Sequence, residues 1–281
     1  MTIAHPTIAH PTDEETRFAF GENWQAFLQT LDQERIDEAV RSLGEMLDVD
    51  SLEGCRFLDI GCGSGLFSLA AYQMGAAVVS LDYDTDSVAC TDELKRRFFG
   101  DGEWTVSQGS VLDEATMSEL GPFDVVYSWG VLHHTGAMNR AIELASQRVD
   151  DGGLFFIALY NDQGGPSRRW LQIKTMYHRL PKRIRPLWVM IIAGLYEMKF
   201  ALARLAQFRN PLPFSDWRAK KKDRGMSAWH DWVDWIGGMP FEVAKPEDAI
   251  VPLARRGFTL QNLKTVGSGW GCNEYVFRKE S

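Results

Sequence analysis

Between residues 55 and 160 the chain alternates short, predominantly apolar runs with amphipathic stretches. The runs at 55–60, 76–82, 104–109, 123–129 and 153–160 read as strands, and the segments 66–74, 85–99, 114–120 and 139–148 read as helices. Strands apolar on both faces and separated by helices predict a parallel sheet covered on both sides. Residues 13–50 are amphipathic, with Phe18, Trp24, Phe27, Leu28, Leu31 and Ile36 at helical spacing. After residue 161 the rhythm stops, and it resumes with 258–266 and 273–279, two runs expected to pair antiparallel. The pattern therefore predicts an α/β fold: a seven-stranded sheet with helices on both faces, an N-terminal helical extension and a largely helical insertion between strands 5 and 6. The expected organisation is a flexible tail at 1–12, the extension at 13–50, a core at 51–161 and 246–281, and a cap at 162–245.

Composition supports a folded protein of catalytic size: of 281 residues, 45% are hydrophobic and 24% charged. The net charge of −8 excludes a uniformly basic nucleic-acid binder, but the average hides an asymmetry. From Arg168 to Arg224 there are 15 Lys or Arg against three acids, a local +12, which leaves −20 for the remainder. Cys55, Cys62, Cys90 and Cys272 are scattered, so neither a disulfide framework nor a metal centre is expected. With no basic head and apolar run at the N-terminus, a reduced, cytoplasmic setting is expected.

The segment "FLDIGCGSG" places Asp59, Gly61, Cys62, Gly63 and Gly65 directly after a strand and before a helix. Glycine there allows a tight turn and close approach of backbone amides to a ligand, beside the unpaired N–H groups of a helix start. An acid two residues before the glycines suits an ammonium or hydroxyl group. Asp82 ends the next strand, 21 residues after Gly61, where a carboxylate can accept both hydroxyls of a ribose. Ser110 and the backbone of Val111, in "GSVLD", are placed to read an adenine edge. These features describe a nucleoside site. Glycine at every second position lacks the G-x-G-x-x-G spacing of a dinucleotide fold.

"DIGCGSG", "VVSLDYD", "QGSVLD" and "FDVVYSWGVLHH" together resemble the successive motifs of class I, Rossmann-like S-adenosylmethionine-dependent methyltransferases, over 55–160 and the last two strands. The resemblance implies S-adenosylmethionine as cofactor and S-adenosylhomocysteine as product. It further implies that Asp59 and residues 61–65 hold the methionine moiety, Asp82 the ribose, Tyr83 one adenine face, and Ser110 and Val111 the adenine edge. The sequence departs from the family at Ser110, where many relatives carry Asp.

Methyl transfer from a sulfonium needs alignment, desolvation and removal of one proton. "SWGVLHH" brings Ser128 and Trp129 near the donor and His133 and His134 into the following loop. Either histidine can serve as general base or can support the loop. In "RGMSAWHDWVDWIGGMPFEV", Trp229, Trp232 and Trp235 accompany His230, Asp231 and Asp234, either as an aromatic acceptor pocket with His230 or Asp231 orienting the acceptor, or as a Trp-rich plug. Phe20, Gly21 and Trp24 resemble the aromatic helix that closes over the donor in several methyltransferase groups, and also fit a core staple.

Within 180–208, residues 187–196 form an unbroken apolar run flanked by Lys182, Arg183, Arg185, Lys199 and Arg204, expected to be too short to span a bilayer. Three readings follow: a helix on an anionic membrane or against a lipid-like acceptor, a lid or homodimer interface, and a nucleic-acid contact through clusters such as "WRAKKKDR". The expected function is methyl transfer to an O, N or S atom of a small-molecule acceptor, anionic or lipid-like, enclosed by the insertion. The alternatives are a tRNA or other nucleic-acid methyltransferase and a non-catalytic donor-binding protein docked to membrane or partner.

Overall fold

The computed structural model describes residue 28 and residues 31–98, 103–208, 210–212, 228–267 and 269–281. Helix α1 (Gln33–Leu47) starts where the Asp32 side chain accepts from Arg35 N at 3.0 Å and ends in the left-handed region at Asp48. The alternation then runs β1 (Arg56–Ile60), α2 (Leu66–Gln73), β2 (Ala77–Asp82), α3 (Thr85–Phe98), β3 (Trp104–Gln108), α4 (Glu114–Glu119), β4 (Phe123–Trp129), α5 (Met138–Ser146) and β5 (Val149–Tyr160). Helices α6 (Gly165–Arg179), α7 (Arg185–Ala206) and α8 (Ala228–Gly237) make up the described part of the insertion. Helix α9 (Pro246–Ala254), β6 (Phe258–Lys264) and β7 (Cys272–Lys279) complete the chain.

The seven strands form one sheet in the order β3-β2-β1-β4-β5-β7-β6, parallel except for β7, which runs antiparallel to both neighbours. The two-residue period of each strand sends side chains to opposite faces. Phe57, Val125 and Phe156 pack against α1, α2 and α3, while Leu58, Val126 and Phe155 pack against α4, α5 and α9. β5 begins at Val149, earlier than the apolar run from residue 153 indicates, because Val149 pairs with Phe123 ahead of a register shift between Phe123 and Val125.

The insertion carries a third core, of Trp170, Val189, Ile192, Trp232, Ile236, Met239 and Phe241. Its entry and exit are joined: Ala244 N donates to Tyr160 O at 2.8 Å, and Asp162 N to Ala244 O at 3.0 Å. Three of the described cations of the insertion bond within it. Lys174, buried, donates through Nζ to Trp235 O at 2.6 Å and Gly238 O at 3.0 Å, and Arg185 donates to Leu180 O and His178 O. Arg204 lies 4.0 Å from Glu197 of its own helix.

Helix α7 has 22 residues, and an 18-residue stretch of it has a mean hydropathy of 1.4 with 11% of it buried. By length and composition it can cross a membrane, contrary to what the ten-residue run implies. The reason is that the helix continues past Tyr196 to Ala206 without losing its apolar average.

Candidate functional site

β1 ends in a loop whose shape depends on glycine. Gly61, Gly63 and Gly65 all have positive φ, and a Cβ on Gly61 would lie 2.3 Å from a Val131 methyl. Gly61 N donates to Leu81 O at 2.7 Å, tying the loop to β2, and α2 begins directly after Gly65. The turn is therefore fixed at the carboxyl edge of the sheet, where ligands of such folds bind.

Two carboxylates frame this loop. Asp82, at the end of β2, accepts from Gly63 N at 2.9 Å through Oδ2 and from Asp84 N at 2.9 Å through Oδ1. Asp59 is buried and accepts from Ser68 Oγ at 2.6 Å; Ser68 in turn meets Ser80 Oγ at 2.7 Å, and Trp104 Nε1 donates to Ser80 at 2.8 Å. Burial pushes the Asp59 carboxyl up to about 7, against the pull of the Ser68 hydrogen bond and with a further push from Asp82. Burial raises Asp82 as well. Two carboxylates driven toward neutrality beside one loop are an environment that a cationic ligand would relieve.

The remaining nucleoside-site candidates surround the same edge. Ser110 Oγ accepts from Leu112 N at 3.2 Å, and the Val111 side chain is buried in the core, so only its backbone faces outward. Tyr83 is exposed, and its carbonyl accepts from Gln108 Nε2. The Ser128 hydroxyl is buried and donates to Ile60 O at 2.9 Å, bracing the end of β1. Cys62 presents only backbone to the loop: Thr91 Oγ1 donates to its buried sulfur, and burial pushes the thiol well up.

Beyond β4, a short 3-10 turn at Leu132–His134 carries the histidine pair. His133 is fully buried, with its ring 4.0 Å from that of Tyr160. Its nitrogens make no hydrogen bond of standard geometry, and burial holds it well below the ordinary imidazole range. His134 is partly exposed, and burial holds it down at about 4. Its Nδ1 lies 2.6 Å from Pro240 O; a carbonyl only accepts, so Nδ1 carries the proton and Nε2 is the basic nitrogen.

The acceptor-side candidates divide. Tyr160, at the end of β5, stacks with Trp235 at 6.1 Å and touches His134 and Phe241, while Trp170 and Trp270 close around Trp235. Trp232 instead turns to α7, packing on Tyr196 and donating to Glu197 Oε1 at 3.3 Å, and Trp229 is exposed. Steps of three residues rotate each successive indole by about 60° around α8, so Trp235 alone of the three reaches Tyr160. Trp129 is exposed and donates to Glu274 Oε1 on β7 at 3.1 Å. The side chains of His230 and Asp231 lie outside the described residues, as do Trp24, Phe20 and Gly21.

Sequence reading missed Ser68, Thr91, Tyr160 and Trp170. Tyr160 had one signal: it is a polar-tipped aromatic that ends the otherwise apolar run LFFIAL. Ser68 and Thr91 had none, since their role follows from facing Asp59 and Gly65 across helix–strand contacts.

Comparison with known proteins gives these features a context. The family model described as "Methyltransferase domain" matches residues 22–190. The ubiquinone biosynthesis O-methyltransferase of Brucella melitensis is 31% identical over 110 residues, 39% of this chain and 43% of the relative. That of Agrobacterium fabrum is 33% identical over 110 residues, 39% of this chain and 42% of the relative. This chain thus spans less than half the length of these curated relatives. Among solved structures, magnesium protoporphyrin IX methyltransferase from Synechocystis PCC 6803 with bound SAH superposes with a TM-score of 0.53 at 15% identity, covering 92% of this chain and 95% of that one. A SAM-dependent methyltransferase from Anabaena variabilis superposes with 0.54 at 11% identity, covering 98% and 99%. At these identities the likeness is one of fold.

Proposed function

The chain belongs to the methyltransferase-domain family, with S-adenosylmethionine as its methyl donor, and from that premise we propose that it methylates an oxygen of a small, largely apolar acceptor held beneath the insertion. The observation that carries the proposal is the glycine loop itself: Gly61 packed against Val131, and Gly63 N bonded to the Asp82 carboxylate. The donor supplies an activated methyl group on a positively charged sulfur.

In this reading the residues of the chain bind, orient and exclude water. Residues 61–65 offer backbone amides to the methionine end, and Asp59 answers its positive charge. The Asp82 carboxylate holds the ribose, Tyr83 covers one adenine face, and Ser110 with the Val111 backbone reads the edge. The Ser128 bond to Ile60 O keeps β1 and β4 in register beneath.

Tyr160, Trp235 and Phe241 form the aromatic wall facing the histidine pair. His134 takes the acceptor's proton on Nε2, its other nitrogen being fixed by Pro240. His133 is a positioning residue, because its fully buried ring cannot touch an acceptor. The printed names of the Brucella and Agrobacterium relatives favour oxygen as the accepting atom.

Calorimetric titration with S-adenosylhomocysteine tests the donor site. Binding is expected, and Asp82→Ala is expected to weaken it by about tenfold to a hundredfold, the loss of hydrogen bonds to a charged group. Absence of binding, or an unchanged affinity in Asp82→Ala, overturns the reading.

A further inference from the structure

Helix α7 is apolar on two sides, and only one of them packs. Val189 and Ile192 are buried against the insertion's core, with Tyr196 and Phe200 on the same side. On the opposite side Leu187, Ile191, Leu195, Met198, Leu202 and Leu205 are 47% to 62% exposed. Their spacings of three and four residues set them within about 40° of one line down the helix. That line runs for roughly 27 Å at 1.5 Å per residue. A continuous exposed apolar stripe of this length marks a contact surface.

The surroundings of the stripe are basic. Arg179 ends α6, Lys182 and Arg183 lie just before α7, and Lys199 flanks the stripe; all four are exposed. The acid of α7, Glu197, lies on the other side, bonded to Trp232. Charge complementarity therefore selects an anionic occupant. A second copy meeting stripe to stripe would bring up only the same basic and apolar patch, with no acid in it to answer these cations, because a two-fold interface joins a surface to itself.

Topology then decides how the contact is made. A single crossing by α7 would leave β7 across the bilayer from β5, yet the two strands pair from Leu154↔Arg278 to Tyr160↔Cys272. The chain also leaves the sheet at Tyr160 and returns to it at Ala244. The helix cannot span, and it must lie flat.

We propose that α7 docks the protein onto an anionic lipid bilayer, its leucine, isoleucine and methionine stripe sunk at the headgroup boundary and Arg179, Lys182, Arg183 and Lys199 on the lipid phosphates. This docking is independent of turnover at the donor site. It places the enzyme where apolar acceptors partition.

The test is flotation of the full chain with vesicles of phosphatidylcholine alone and of phosphatidylcholine with about one third phosphatidylglycerol. The expected result is flotation with the anionic vesicles only, reversed by high salt and abolished by Leu195→Glu with Met198→Glu. Lys182→Ala with Arg183→Ala is expected to lower partitioning about 25-fold, roughly fivefold per charge. Near-UV circular dichroism checks the glutamate variant's fold, and the alanine variant and the salt titration serve independently of it. The proposal is overturned by absence of flotation, by equal flotation with both vesicles, or by a dimer in sedimentation that Leu195→Glu with Met198→Glu dissolves while no vesicle is bound.

Discussion

His134 Nδ1 stands 2.6 Å from the Pro240 carbonyl oxygen, so the turn after β4 is fastened to the loop that closes the insertion. Glu242 N, donating to His133 O at 3.0 Å, makes a second tie between the same segments. Through these bonds the aromatic wall and the candidate base are held on one rigid corner, which is what a proton transfer at a fixed position requires.

If His134 Nε2 is the base, His134→Ala lowers kcat by about a hundredfold or more. Affinity for S-adenosylhomocysteine stays within about twofold, since the donor loop is untouched. Steady-state kinetics beside calorimetry separates the two, and an unchanged kcat removes the histidine from the chemistry.

The same histidine is expected to leave a mark on acid stability. Its folded value of about 4 lies below the ordinary 6.5, so the unfolded chain takes up the proton first. The stability involved is fully present above pH 6.5 and is lost as pH falls toward 4, about 3 kcal/mol over the window. Thermal melts across pH 4 to 7 should show His134→Asn losing less stability on acidification than the parent by that order.

Asp59 has the opposite sign. Its carboxyl, pushed up to about 7, is largely protonated in mildly acidic solution, whereas a ligand with an ammonium group favours the carboxylate. Affinity for S-adenosylhomocysteine should therefore rise as pH rises toward 7, by at most about tenfold per unit, and level off above it. Titrations from pH 5.5 to 8 check this, and Asp59→Asn should bind weakly with the slope gone.

Gly61→Ala is expected to destabilise the fold by about 2 kcal/mol or more, since its Cβ would meet both Val131 methyls at 2.3 and 2.5 Å and φ is +78°. Adding Val131→Ala removes those methyls and should recover part of the loss in the melting temperature. No recovery would mean that the backbone conformation and the remaining 2.8 Å approach to the Val131 Cβ, and not the methyls, set the cost.

Lys174→Met leaves the carbonyls of Trp235 and Gly238 without their buried donor. The expected cost is about 2–4 kcal/mol, felt first in the insertion. Hydrogen exchange should show faster opening of α8 than of β1 and β4.

Much of the sheet could be read from the chain, because its central strands β1, β4 and β5 are buried on both faces and so are largely apolar. Residues 55–160 give five strands and four helices whose bounds the structure shifts by a few residues, except at β5, where "VDDGG" carries no strand signal and pairing alone extends the strand. The glycine loop and Asp82 were equally legible, since positive φ and close packing leave few residue types possible at Gly61, Gly63 and Gly65.

What the sequence could not fix were relationships across the fold. The antiparallel pairing of the last two strands was expected, but the placing of β7 between β5 and β6 was not, because strand order is set by contacts between residues far apart in the chain. Which indole of α8 meets Tyr160, and which histidine is fully buried, follow from rotation and depth rather than spacing. Helix α7 is the clearest case. With apolar residues all round, its sequence specifies a helix but not its packed side; tertiary structure chose Val189 and Ile192 for the core and left Leu187, Ile191 and Leu195 to the outside.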